Sequence, residues 1–345
     1  MFNEKNTLVT SGSKNKLPIV TDPSKRFERS NEFISISPRI IRYKAYDRET
    51  GLEVTWHEIS FKNTTNELKN MMISTVERVQ RIHLKSMNAI VDYWMNEKTS
   101  KLYYITESLS SKSVYQNVIQ ADFDIKLQVV AKWFYPVIQT LNYLHTLNPP
   151  LMHNRINPNL IFVKPASSSI KIISPSLRSR KFGTSTNFKL SSSLRLRPST
   201  PPEFLYNDEG TYSDIWAFGL AILFAITKKE PYNECKTPES LMRKLIDFQP
   251  PDSLKLVKDH YAYDLISSCL SKPDKRPTAT ELLHHPFFSN HVENAQSPAP
   301  NQEELVVIFS GKITQSHHKI PGVDDNEIPL NSPMKVSAST PQLNV

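Results

Sequence analysis

An α+β chain of two lobes is what the sequence predicts, a small β-rich lobe over residues 32–108 and a larger helical one over 109–290. Three observations predict it. Short apolar runs rich in β-branched and aromatic residues follow one another from Phe33 to Leu109, interrupted by one segment of helical period. Beyond Leu109 the pattern changes, and two long segments, Leu127–Thr146 and Tyr212–Thr227, carry apolar side chains at the spacing of buried helices. With 345 residues, 39% of them apolar, the chain can bury one large core or two modest ones.

Residues 1–31 are polar and without period, and are expected to form a disordered tail. From Phe33 the runs FISIS and RIIRYKAYDRETGLEVTWHEISF read as strands, the latter folding into a hairpin at the Asp47–Gly51 turn. Alternation places Val54 and Trp56 on one face, Thr55 and His57 on the other. Residues 64–85 carry Leu68, Met71, Met72, Thr75, Val79 and Ile82 on one helical face. NAIVDYW and KLYYITESL give two further strands.

In the larger lobe, Leu127, Val130, Phe134, Val137, Ile138, Leu141 and Leu144 mark a long helix with Pro136 inside it, where a kink is expected. Between Leu151 and Thr200 there are nine Lys or Arg residues and no acid. Its Arg178, Arg180, Lys181, Arg195 and Arg197, interleaved with Ser and Thr, have two readings: a solvated loop, the preferred one, or a docking or phospho-regulatory surface for an acidic or phosphorylated partner. Tyr212–Thr227 is apolar nearly all round, as a helix at the centre of a lobe is, and too short for a comfortable bilayer span. Residues 291–345 read as a polar Pro-containing linker, a short apolar strand at EELVVIFSGKI and a disordered tail.

Composition narrows the function classes. A formal charge of +8 is mild, and no nucleic-acid partner is expected. Cys235 and Cys269 are the only cysteines and lie far apart, so neither a disulfide framework nor a Cys-based zinc site is supported. No apolar run is long enough to insert in a membrane, and the N-terminus carries neither a signal-peptide core nor Gly at position 2. A cytoplasmic location is expected.

Three stretches carry a family resemblance. PPEFLYNDEGTYSDIWAFGLAILFAITKKEPYNEC and SKPDKRPTATELLHHPFF resemble large-lobe motifs of protein kinases. YKAYDRETGLEVTWHEI is similar to strands two and three of the small lobe of the With-No-Lysine (WNK) kinases and of the related nuclear-receptor-binding-protein pseudokinases. LMHNRINPNLIFVKPASSSIKIISPS resembles a kinase catalytic loop and the metal-binding loop after it. The resemblance runs over roughly Phe33–Phe288 and implies a bilobal protein-kinase-like fold, with a hinge beginning at Glu107. It implies structural anchors at His153, Glu203, Asp214, Trp216, Gly219 and Arg276, with Glu203 paired to Arg276 and Asp214 bracing the catalytic loop.

It also implies where chemistry would sit, and there the residue types fail. Working kinases read H-R-D-x-x-x-x-N, with Asp as base and Asn on one magnesium, and D-F-G, with Asp on the other. Here Arg155 stands at the base, Asn157 precedes Pro158 where Lys-Pro is usual, Leu160 replaces the metal Asn, and Ser174 replaces the D-F-G Asp. His57 stands at the strand-three Lys, and Ile40, with Arg39 beside it, at the relocated WNK Lys. A half-buried strand histidine is the reading of His57, and a solvent-facing Glu that of Glu77, near the helix position that normally pairs the Lys. No glycine lies between Gly12 and Gly51, so Ile36–Arg42 is expected to be an ordinary strand connection and not a phosphate loop.

One test is independent of register. From Ile125 to Asn207 there is no Asp, and Glu203 is the one Glu, so this segment cannot supply both a carboxylate base and a carboxylate metal ligand. The nearest acids, Asp208 and Asp214, lie beyond it. The expectation is a pseudokinase, a scaffold or allosteric regulator of signalling proteins with no cofactor. The alternatives are a divergent active Ser/Thr kinase using ATP, and a metal-independent nucleotide-binding module.

Overall fold

The computed structural model describes residues 20–36, 40–164, 167, 169–177, 199–206 and 208–289. Its N-terminal part is one antiparallel sheet built from β1 (Val20–Thr21), β2 (Phe27–Ile36), β3 (Ile40–Asp47), β4 (Leu52–Ser60), β5 (Ile90–Asn96) and β6 (Lys101–Glu107), in the order β1-β2-β3-β4-β6-β5. The β3–β4 hairpin turns as the sequence predicts: Gly51 adopts φ +70° and its N–H donates to the Asp47 carbonyl at 2.9 Å, which fixes the register with Arg42 opposite His57.

The expected disordered tail ends earlier than residue 31, because Val20 to Ser30 already belong to the sheet. Side-chain pairing explains the order that a polar composition hides. Asp22 closes the β1–β2 turn by accepting the N–H groups of Ser24 (2.8 Å) and Phe27 (2.7 Å). Arg26 forks onto Asp47 at 3.0 and 2.7 Å, and Arg29 reaches the buried carboxylate of Glu58 at 2.5 Å. Phe27 is completely buried against Tyr43, Ala45, Val54, Trp56 and Ile105. These form a core on one face of the sheet, with Trp94 edge-on to Trp56 and stacked on Tyr103.

The other face packs on α1 (Asn66–Gln80), capped by Thr65, through Met72, Val76 and Val79. Glu77 is half-buried and not solvent-facing: the Tyr93 hydroxyl on β5 donates to it at 3.2 Å.

α2 (Val114–Gln120), capped by Ser113 in a reciprocal box with Gln116, opens the helical lobe and has no counterpart in the sequence reading. α3 spans Leu127–Thr146, as its apolar period predicts, and runs through Pro136. A two-stranded ladder, β7 (Ile161–Val163) with β8 (Ile170–Ile172), follows the loop after α3. β8 also meets the segment before β5: Asn88 N donates to the Ile172 carbonyl at 2.7 Å, and Ile172 N to the Ser86 carbonyl at 2.8 Å.

α4 (Thr211–Thr227) is buried over most of its circumference, as its sequence requires. Gly219 lets it lie against α6 (His260–Cys269), since a Cβ at that position would come within 2.5 Å of Cys269 Cβ. α5 (Pro238–Ile246) and α7 (Ala279–Leu283) complete the lobe. Among the described residues, no helix is long and apolar enough to cross a membrane. The Arg178–Arg197 basic segment and the EELVVIF run lie outside the described residues.

Candidate functional site

The candidate site is organised by the loop from Leu151 to Asn157 and by the first turn of α4. Asp214, almost wholly buried there, accepts the main-chain N–H groups of His153 and Asn154, each at 2.7 Å, and Nε2 of His145 at 3.0 Å. One carboxylate thus holds three donors from two elements. His153 in turn donates from Nε2 to the Ile173 carbonyl (2.8 Å), while its Nδ1 accepts the Arg155 N–H (3.2 Å). That pattern fits only a neutral ring, and burial pushes the pKa of His153 down to about 4 although Asp214 opposes the shift. The loop is completed where Ser176 N donates to the His153 carbonyl at 2.8 Å.

Arg155 leaves this loop toward the sheet. Its guanidinium shares a recess with Tyr104 on β6 and with His57 and Arg42 on β4 and β3. His57 is buried, 7% exposed, and not half-buried as expected, because its imidazole stacks on Tyr104 with centroids 4.1 Å apart. Thr106 Oγ1 donates to the Glu107 carbonyl (3.2 Å) and accepts from His57 Nε2 (3.0 Å), so Nδ1 carries the lone pair and is buried without a partner. Burial first, then the charges of Arg42 and Arg155, hold His57 well below its usual pKa and keep it neutral. Burial, reinforced by Arg42 and opposed by Tyr104, lowers Arg155 to about 10. No carboxylate is among the groups acting on Arg155.

The positions farther along are equally bare of charge. Asn157 accepts Asn159 N at 2.8 Å and so caps the Pro158–Leu160 turn. Leu160 is half-buried; its backbone, not its side chain, is engaged, with Ile173 N donating to the Leu160 carbonyl at 3.2 Å. Ser174 is buried two residues past β8. Among the described residues no group of three or more His, Cys, Asp and Glu side chains is placed to hold a metal. The nearest acids are occupied: Glu107 pairs with Lys171, and Glu77 with Tyr93.

Behind the site, Glu203 and Arg276 form a buried pair at 2.6 Å, with Ser213 Oγ donating to the same carboxylate at 2.9 Å. Arg276 also donates to the carbonyls of Tyr212 (2.7 Å) and Ser271 (2.9 and 3.1 Å), and its guanidinium carbon lies 5.1 Å from the Trp216 ring centroid. With its donors used, the pair holds α4 to the segments on either side, and removing one partner costs about 3–5 kcal/mol.

A sequence model of the protein kinase domain matches residues 41–288. This chain belongs to the protein kinase family. Among similar kinases are two from Arabidopsis thaliana, the probable serine/threonine-protein kinase WNK4, 26% identical over 83% of this chain and 51% of its own length, and the serine/threonine-protein kinase WNK8, 28% identical over 78% and 47%. A probable serine/threonine-protein kinase WNK5 from Oryza sativa subsp. japonica is 25% identical over 78% of this chain and 82% of its own length. The chain therefore spans about half the length of the two Arabidopsis relatives it matches.

In this kinase the expected anchors His153, Glu203, Asp214, Trp216, Gly219 and Arg276 are all buried around the loop or behind it. His57 and Arg155, far apart in sequence, meet in the recess; Asn157 and Leu160 lie on the turn after the loop, and Ser174 lies beyond β8. Sequence reasoning missed Arg42, Tyr104 and His145. Arg42 was within reach, since the turn closing Asp47 against Leu52 sets it opposite His57. Tyr104 becomes a neighbour only through β4–β6 pairing, which no local pattern announces.

Proposed function

We propose that this kinase-family chain is non-catalytic, a scaffold or allosteric regulator working through protein partners in intracellular signalling. The observation that carries the reading is Arg155. A phosphoryl transfer needs a base near the acceptor hydroxyl and carboxylates for the divalent ions. At the position of the base stands a cation, with a second cation, a neutral imidazole and a phenol around it and no acid among them. A Leu at position 160 coordinates no ion, and a lone hydroxyl at Ser174 is a poor magnesium ligand. The supports that hold the loop, Asp214 and the Glu203–Arg276 pair, are complete. A sequence free to drift would lose both sets, so their separation speaks for a retained shape with a task other than transfer.

The test is transfer of the γ-phosphoryl of labelled ATP by purified protein, with magnesium or manganese, to itself or to a Ser/Thr substrate. None above the blank is expected. Transfer that a single change at Arg155 or Ser174 abolishes overturns the reading. The partner role is tested by neutralising Arg178, Arg180, Lys181, Arg195 and Arg197 together; an unchanged set of captured partners removes the basic segment from the proposal.

A further inference from the structure

Arg155 and Arg42 arrive from different lobes, one from the loop after α3 and the other from β3, and lie close enough for each charge to disfavour the other. Neither has a carboxylate partner among the described residues; Arg42 donates only to Ser35 Oγ, at 2.9 Å. The nitrogens of the half-buried Arg155 side chain keep contact with solvent and are not sealed inside the core. Behind them the stacked rings of His57 and Tyr104 close the recess with a wall that bears no negative charge. Two guanidinium groups converging in a partly desolvated recess repel each other and are poorly hydrated, a cost that a shared counter-ion removes.

We propose that Arg155 and Arg42 bind an anion of the phosphate class in this recess without a divalent metal. A carboxylate offers one edge of two oxygens and one charge, which a single forked guanidinium satisfies. A phosphate offers several such edges and up to two charges, so it can engage both arginines at once. The phosphoryl group can be free or can belong to a nucleotide, and either source presents the same oxygens. His57 is the built-in reporter: an anion between the two arginines cancels the field they impose, so the His57 pKa rises when the site fills. The inference concerns the same recess as the functional reading but does not depend on it, since a failed phosphate titration leaves the missing carboxylates where they are.

The experiment uses the whole chain in EDTA, titrated with inorganic phosphate and, at matched ionic strength, with acetate. Calorimetry and the melting temperature report binding, and the 15N-labelled imidazoles report protonation. Expected are a melting-temperature rise with phosphate and not acetate, an upward shift of the His57 pKa, and no gain on adding magnesium. Arg155→Gln and Arg42→Gln should each weaken phosphate binding about tenfold, the scale of one charge-assisted hydrogen bond. Having lost an uncompensated charge, Arg155→Gln should melt no lower than wild type in phosphate-free buffer. ATP in EDTA binding much more tightly than phosphate, with the same loss in the variants, names the nucleotide as the source; equal affinity names the free group. Identical responses to phosphate and acetate, wild-type affinity in both variants, or a His57 pKa unmoved by saturating phosphate overturn the proposal. The two variants lie in different lobes, so a folding failure in one leaves the other decisive.

Discussion

Asp214 accepts the main-chain N–H of His153 at 2.7 Å across 61 residues of sequence, with the N–H of Asn154 and the ring of His145 on the same carboxylate. The side chain is 2% exposed and stands in the first turn of α4, where a helix favours negative charge. Asp214→Asn places an NH2 against at least one of these donors and is expected to cost about 2–4 kcal/mol. Urea denaturation of the purified variant checks this, and a loss below about 1 kcal/mol removes Asp214 from its bracing role.

Acid should weaken the fold through His153. Its pKa is about 4 when folded against 6.5 when free, so between those values the unfolded chain binds a proton that the folded chain does not. Stability from this group is therefore full above pH 6.5 and falls as the pH drops toward about 4, by at most about 3 kcal/mol. His57, lowered in the same direction, adds to the slope. Denaturation curves across this range should show His153→Gln less stable at neutral pH and less sensitive to acid. A variant with the wild-type slope would move the effect elsewhere.

Gly219→Ala is expected to destabilise by about 1–3 kcal/mol through overpacking of α4 on α6. The atom in the way is Cys269 Cβ, 2.5 Å from the added methyl, and not its sulfur at 3.6 Å. Cys269→Ala should consequently fail to rescue the variant, whereas Cys269→Gly should recover part of the loss. Rescue by alanine would mean that the sulfur sets the limit.

If β2 is an integral strand, Phe27→Ala should cost about 3–5 kcal/mol, as for a large aromatic truncated in a core. Thermal melts of the two proteins decide the point. A change within the range of surface substitutions, about 0.5 kcal/mol, would return the segment before residue 31 to the status of a tail.

What could be read from the sequence was whatever local pattern determines. The period of Leu127–Thr146 gave α3 its bounds, the apolar circumference of Tyr212–Thr227 gave α4, and the Asp47–Gly51 turn gave the hairpin. Residues 20–30 escaped because what orders them lies elsewhere, on Asp47, Glu58 and the aromatic face around Trp56. The absence of acid from Ile125 to Asn207 was legible in any register. What replaced the acid was not, because Arg42, Tyr104 and Arg155 become neighbours only when the two lobes are in place.

The junction of Met87 with β8 bears on how the lobes can move. Two backbone hydrogen bonds, Asn88 to Ile172 and Ile172 to Ser86, stitch the sheet to the helical half beside the Lys171–Glu107 ion pair. Rocking of one half on the other therefore has its axle along that seam. Displacement there is smallest and grows with distance from it, so a partner gripping the far rim of both halves would feel the angle most.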